Sequence, residues 1–286
     1  MISQIVVGID GSQYSLAACR HALDLSQRTG AEVKIVFVLD TRKTDLPIVY
    51  SASHFDYGFE RVYIPPEPGL KEFYDKVKAD IKAFAEMCLE KCRKEAEGRK
   101  VKISTVLREG LPSGVLAEEA RSGDLLVLGQ KGENARFDRA IVGSPTEDVV
   151  RSSPRPVLVC PQEFKAITRL LFPYDGSAGA ERALQFCVNA LGGIWEEVMI
   201  LTVAEEVDES FPFEKELSYL KTHGIQYRFI VEEGKPVDAI PKIAASEKAD
   251  GIIVGAHGRH KIRDYILGTT AAHLIRRSQL PVLVVL

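Results

Sequence analysis

The chain has 286 residues, 45% of them hydrophobic, which is enough for two domains of ordinary size, each with its own core. A net charge of −3 gives no basic excess for nucleic-acid binding, no apolar run approaches membrane-spanning length, and residues 1–10 lack the cationic start of a secretion signal. Five cysteines, an odd number with no Cys-x-x-Cys pair, argue against a disulfide framework or a structural zinc site, so a soluble cytoplasmic protein is expected.

Residues 2–9 form a continuous apolar run that reads as a strand, 15–29 have helical periodicity, and 32–39 read as a second strand of the Val/Ile-rich kind buried on both faces. Residues 40–69 are irregular in period and hold Pro47, Gly58, Pro65, Pro66, Pro68 and Gly69. A long amphipathic helix is expected over 70–97 and a strand over 102–107. Pro112 opens a helix to residue 122 at the position where its missing N–H costs nothing. A buried strand over 125–128, a helix over 144–152 and a strand over 157–160 follow. The second half repeats this order, with strands at 170–173, 197–203, 226–231, 251–254 and 282–286 and helices at 178–191, 214–223, 236–247 and 270–277. Alternation of strand and helix implies a parallel sheet with helices on both faces.

The repetition extends to individual motifs. Asp10-Gly11-Ser12, Glu109-Gly110, Gly129-Gln130-Lys131-Gly132, Gly143-Ser144 and Pro156-Val157-Leu158-Val159 recur in order as Asp175-Gly176-Ser177, Glu233-Gly234, Gly255-Ala256-His257-Gly258, Gly268-Thr269 and Pro281-Val282-Leu283-Val284. The chain is a tandem duplication, with one half at 1–162 and the other at 167–286. The later motifs are offset by 124–126 residues and the first by 165, so about 39 extra residues lie in the first half, most naturally between 40 and 69.

In a doubly wound five-stranded sheet of order 3-2-1-4-5, strands one and four are neighbours whose connections leave in opposite directions, and ligands bind in the crevice between their carboxyl ends. The Asp-Gly-Ser turn follows strand one and the Gly-x-x-Gly loop follows strand four, so both motifs of each half flank that crevice. The glycines let backbone approach a phosphate closely, and Gly143-Ser144 or Gly268-Thr269-Thr270 offers hydroxyls and N–H groups at a helix start. Such chemistry suits a nucleoside triphosphate.

These residues resemble the universal stress protein family in its tandem two-domain form. Members of that family that bind ATP have Gly-x-x-Gly, nine residues, then Gly-Ser or Gly-Thr, as in Gly255, Gly258 and Gly268-Thr269. The resemblance implies an α/β fold of two tandem doubly wound five-stranded parallel-sheet domains whose last strands pair into an intramolecular pseudo-dimer. It also implies ATP, with or without Mg2+, as the ligand. The aspartate after strand one and the valine ending strand two would serve the nucleoside end, here Asp10, Val38, Asp175 and Val203. The glycine-loop residues map to Leu128, Gly129, Lys131 and Gly132 and to Val254, Gly255, His257 and Gly258. Phosphate contacts map to Gly143, Ser144, Gly268, Thr269 and Thr270, with Pro145, Thr146 and Pro173 completing the candidate set.

The first half departs from the family spacing, with ten residues before Gly143 in place of nine. Residues 130–142 carry a net charge of +1 and 259–267 one of +2, which favours the second site for a triphosphate if only one binds. Each motif also has a plainer role: the aspartates can cap the turn, and Ser12 and Ser177 can start the helix. His257 and His260 lack a third metal ligand, Cys88 and Cys92 share a helix face as packing residues, Cys160 and Cys187 read as core, and Trp195 carries no assigned function.

No Gly-x-x-x-x-Gly-Lys-Ser/Thr and no Gly-x-Gly-x-x-Gly after a first strand are present, which excludes a P-loop NTPase and a dinucleotide dehydrogenase. Asp138 and Asp264 lie in the glycine loops among basic residues, and no catalytic set is evident. Three readings remain: a nucleotide-sensing module acting on a protein partner, an enzyme (a slow ATPase or an ATP-dependent transferase whose acceptor residues 40–69 would hold), and a scaffold in which the duplication itself is the function. The first is preferred; further association of two chains is compatible with it.

Overall fold

A computed structural model describes residues 1–44, 50–55, 58–63, 69–132, 145–204, 214–257 and 267–286. Strand β1 (Gln4–Ile9) is buried from its second residue onward, the signature of a strand covered on both faces. Helix α1 (Gln13–Thr29) starts at Ser12, whose hydroxyl accepts from the Ser15 N–H, and β2 (Glu32–Asp40) follows. Then come α2 (Thr41–Thr44), β3 (Tyr50–Phe55), β4 (Gly58–Tyr63) and the 27-residue α3 (Leu70–Ala96). Strand β5 (Ile103–Gly110), α4 (Pro112–Arg121), β6 (Leu125–Gly129), α5 (Pro145–Ser152) and β7 (Val157–Cys160) complete the first half.

The second half comprises β8 (Arg169–Pro173), α6 (Ala178–Asn189), β9 (Glu197–Ala204), α7 (Glu214–Thr222), β10 (Tyr227–Glu233), α8 (Pro236–Ser246), β11 (Gly251–Gly255), α9 (Thr269–Arg277) and β12 (Val282–Val285). Ser177 caps α6 as Ser12 caps α1, and Pro112 and Pro236 sit at the starts of α4 and α8.

The sheet order is β10-β9-β8-β11-β12-β7-β6-β1-β2-β5. Each half is therefore wound 3-2-1-4-5 with parallel neighbours. The halves meet where β12 pairs antiparallel with β7, Val282 opposite Val159 and Val284 opposite Val157. That pairing turns two apolar edges into one continuous sheet, the pseudo-dimer expected from the repeat.

Neighbouring strand residues enter opposite core layers. Ile5, Leu23, Ile35 and Leu89 belong to a core layer on one side of the sheet that runs on to Phe172 in the second half, and Val6 and Leu126 to a layer on the other side that runs on to Leu171, Met199 and Leu274. Burying such side chains stabilises by about 1.5–3 kcal/mol each, the main force holding helices to both faces.

Side chains also join the halves. Glu147, almost wholly buried, accepts from Arg276 Nε at 2.5 Å and Nη2 at 2.8 Å and from Arg151 Nη2 at 3.3 Å. The Arg28 guanidinium donates to the carbonyls of Ile167, at 2.7 Å, and Ile194, and lies 5.7 Å from the Trp195 ring centroid. The Met1 ammonium donates to Asn189 O at 2.9 Å.

The segment read as irregular contains a hairpin. Strands β3 and β4 pair antiparallel from Tyr50 opposite Tyr63 to Phe55 opposite Gly58, as a two-stranded sheet of their own. Six-residue strands among clustered prolines and glycines leave little periodic signal to read. Among the described residues, no helix is long and apolar enough to cross a membrane.

Candidate functional site

The carboxyl ends of β1 and β6 flank a cavity of about 530 Å³ in the first half. Its floor is Gly8, Ile9 and Leu128, and the end of β2 supplies Phe37, Val38 and Asp40. Helix α3 forms one wall with Asp80, Ile81 and Phe84, and α4 another with Pro112 and Leu116. Gly129, Lys131 and Gly132 border it on the loop side, and Pro145, Thr146 and Val149 come from α5.

The turn after β1 is built by its own hydrogen bonds. Asp10 Oδ1 accepts from the Ser12 N–H at 3.0 Å, and the Asp10 N–H donates to Ser15 Oγ at 3.3 Å. The aspartate is thus both the turn's cap and a cavity wall, so the structural and ligand-contact readings apply to one residue. Ser12 Oγ donates to Lys131 O at 3.5 Å, and Thr146 Oγ1 donates to Gly129 O at 3.0 Å. These bonds tie the turn, the glycine loop and the start of α5 to one another.

Two glycines stand at close approaches. A Cβ on Gly129 would stand 2.8 Å from the Tyr14 carbonyl carbon, and one on Gly132 would stand 3.0 Å from Asp10 Oδ2. No real Cβ tolerates the first distance against backbone, and the second would push a side chain into the mouth of the cavity.

Charge at the mouth is mixed. Asp40 holds Arg42 in a fork, Nε to Oδ1 at 2.8 Å and Nη2 to Oδ2 at 2.5 Å, and that hydrogen bonding pushes the guanidinium above its ordinary value. Lys131 Nζ lies 6.0 Å from the Tyr14 ring centroid.

The second half repeats the scaffold. Asp175 Oδ1 accepts from the Ser177 N–H at 3.0 Å, and Ser177 Oγ donates to His257 O at 3.3 Å. Pro173 ends β8, Val203 lies in β9, Val254 and Gly255 end β11, and Gly268 precedes α9, whose first residues are Thr269 and Thr270. The Gly268 N–H donates to Ala256 O at 2.8 Å, fixing the α9 start over the end of β11. The lining differs: in the repeat, Pro173 stands for Gly8, Gly179 for Tyr14, Ala180 for Ser15 and Thr202 for Phe37. Here the loop backbone presses on the helix start, since a Cβ on Gly179 would lie 2.2 Å from His257 O.

Gly143, Ser144 and Gly258 lie outside the described residues, as do Asp138, Asp264, His260 and most of the loop charges behind the preference for the second site. Every described first-half candidate lines the cavity: Asp10, Val38, Leu128, Gly129, Lys131, Gly132, Pro145 and Thr146. Sequence reasoning missed Phe37, Arg42, Asp80, Ile81, Phe84, Pro112 and Leu116. Pro112 and Leu116 were within reach, because a helix leaving the carboxyl end of strand three must start beside the crevice. The α3 residues had no such signal, since the inserted segment before that helix obscures the repeat register. Among the described residues, no cluster of three or more His, Cys, Asp or Glu side chains could hold a metal ion.

The sequence pattern of the Universal stress protein family matches residues 1–161 and 211–285. The chain is 26% identical over 302 aligned residues to the universal stress protein Slr1230 of Synechocystis, covering 99% of both chains. It is 30% identical over 161 residues to universal stress protein MJ0531 of Methanocaldococcus jannaschii, covering 56% of this chain and 82% of the relative. The crystal structure of a universal stress protein from Archaeoglobus fulgidus superposes with a TM-score of 0.73 at 22% identity, over 99% of this chain and 95% of the other. Two copies of one crevice-bearing fold, matched by the family pattern on both sides of the junction, make the chain a member of the universal stress protein family.

Proposed function

We propose that the first crevice binds an adenine nucleotide, ATP with or without Mg2+, and that the protein is a nucleotide-sensing module and not an efficient catalyst. The observation that carries this reading is the convergence of all eight described first-half candidates on one cavity at the switch point of the sheet. Its volume of about 530 Å³ lies within the range of small-ligand sites. Ile9, Phe37, Val38, Leu116 and Leu128 offer an apolar compartment for the base, with Asp10 as an acceptor at its edge. Gly129 lets the loop close on the first turn of α1, and Gly132 leaves room for phosphate oxygens beside the loop backbone. Lys131 supplies positive charge there.

Sensing follows from what the ligand would bridge. The cavity is walled by α3 on one side and by the bonded Asp-Gly-Ser turn and glycine loop on the other, so an occupant would couple α3 to them, and a protein partner would read that change. The second crevice, built on the same scaffold, is proposed as a second site. The test pairs equilibrium binding of ATP with a phosphate-release assay on the full chain. Saturable binding with negligible release supports the sensor, turnover matching the bound fraction supports the enzyme, and no binding leaves the scaffold.

A further inference from the structure

Helices α1 and α3 pack on the same side of the sheet, and each brings a cysteine to their contact. Cys19 is fully buried and Cys92 is 2% exposed. Each thiol perturbs the ionisation of the other, although 72 residues separate them in sequence. The pairing is held in register beside it, where Arg20 Nη2 meets Glu95 Oε1 at 2.7 Å and Arg99 Nη1 donates to Gln27 Oε1 at 3.2 Å. Cys88, which shares a face of α3 with Cys92, packs elsewhere: a Cβ on Gly11 would stand 2.9 Å from its Sγ.

The two thiols act on each other, and the interaction with Cys92, followed by burial, pushes the Cys19 thiol up. Cys187, whose thiol burial pushes up to about 12, and Cys160, pushed up by burial, lack such a partner thiol.

We propose that Cys19 and Cys92 form a reversible oxidation site, closing to a disulfide with a small peroxide and reopening with a thiol reductant. The Cys92 sulfur attacks one peroxide oxygen, the O–O bond breaks, and the departing oxygen takes the Cys92 proton and leaves as water, giving a sulfenic acid. The Cys19 sulfur then attacks the Cys92 sulfur, the S–O bond breaks, and the leaving hydroxide takes the Cys19 proton as a second water. Two thiols lose two electrons to one peroxide, and one S–S bond forms. Because both sulfurs are buried, the oxidant gains entry through local opening of α3, and oxidation is slower than at an exposed thiol.

Closure would fasten α3 to α1. Helix α3 carries Asp80, Ile81 and Phe84 in the cavity wall, and α1 begins at the Asp-Gly-Ser turn, so the bond would join two walls of the crevice. The site stands whether or not the cavity takes a nucleotide. Its test is hydrogen peroxide treatment of the full chain in native buffer, read by thiol titration and by peptide mass spectrometry without reduction. Titratable thiols in the unfolded product should fall from five to three, with a Cys19–Cys92 linked peptide, and return to five with dithiothreitol. Cys88→Ala should leave the link intact, and Cys19→Ala should abolish it. A link through Cys88, overoxidation of Cys92 without a link, or a link formed only in urea would overturn the proposal.

Discussion

Ser177 Oγ donates to the His257 carbonyl at 3.3 Å, and Ser12 Oγ makes the same contact with the Lys131 carbonyl at 3.5 Å. One short side chain per half thus caps a helix and holds the glycine loop over that helix's first turn. Truncation removes both roles. Ser12→Ala and Ser177→Ala should each lower unfolding free energy in urea by about 0.5–2 kcal/mol, the usual worth of an N-cap. Amide exchange should also speed up at Lys131 or His257 in the matching half only. Faster exchange in both loops would mean that the halves do not hold their loops independently.

Glu147 is the single carboxylate between two guanidiniums that the repeat makes equivalent, Arg151 and Arg276, since Ala272 occupies its own twin position. With Glu147 buried and both arginines partly exposed, the two sides of the contact should respond unequally. Glu147→Gln releases arginines that can turn to water, for a loss of about 1–2 kcal/mol. Arg276→Met takes the closer guanidinium away from a buried carboxylate, for a loss of about 2–4 kcal/mol. Thermal unfolding of both variants orders them, and a larger loss for Glu147→Gln would contradict this picture.

Two aspartates perform one task at matching places. Asp124 Oδ2 accepts from the Ser3 N–H at 2.7 Å and the Gln4 N–H at 3.1 Å, and Asp250 Oδ2 accepts from the Arg169 N–H at 3.1 Å while Oδ1 pairs with Lys165 at 2.5 Å. Burial pushes both carboxyls up, but the bonds to Ser3 and Gln4, and to Lys165, Thr168 and Arg169, outweigh it and hold both below the ordinary carboxylate value. A group depressed in the fold stabilises it above its unfolded pKa, about 3.9, and loses that stabilisation as pH falls through the lower folded value. Stability should therefore drop below about pH 4, and Asp124→Asn or Asp250→Asn should flatten that drop while lowering stability at pH 7. An unchanged acid slope in both variants would remove these aspartates from the account.

Much of the fold was legible because its signals are local and doubled. Pro112 and Pro236, Ser12 and Ser177, and the apolar runs ending at Cys160 and Val285 each mark the same place twice, and strand order follows from their alternation. The β3–β4 hairpin was not legible, because it has no twin in the second half to compare with. Of the site, the glycines and Asp10 were visible as motif positions. Phe84, Ile81 and Asp80 were not, because a helix face reaches the cavity only through the packing of α3 on β2. The Cys19–Cys92 contact was equally hidden. Spacing suggested Cys88 as the neighbour of Cys92, and only tertiary packing brings α1 across.

The most direct test of the nucleotide reading is titration calorimetry of ATP with Mg2+ into nucleotide-free protein and into Gly132→Val. Gly132 is exposed on its loop, so the substitution should leave the fold intact while filling the space beside Asp10 Oδ2. The account predicts saturable binding to the unaltered chain, weakened at least tenfold, about 1.4 kcal/mol, in a Gly132→Val protein of unchanged thermal stability. Heat-silent titration of the unaltered chain, or equal affinity in the folded variant, would contradict it.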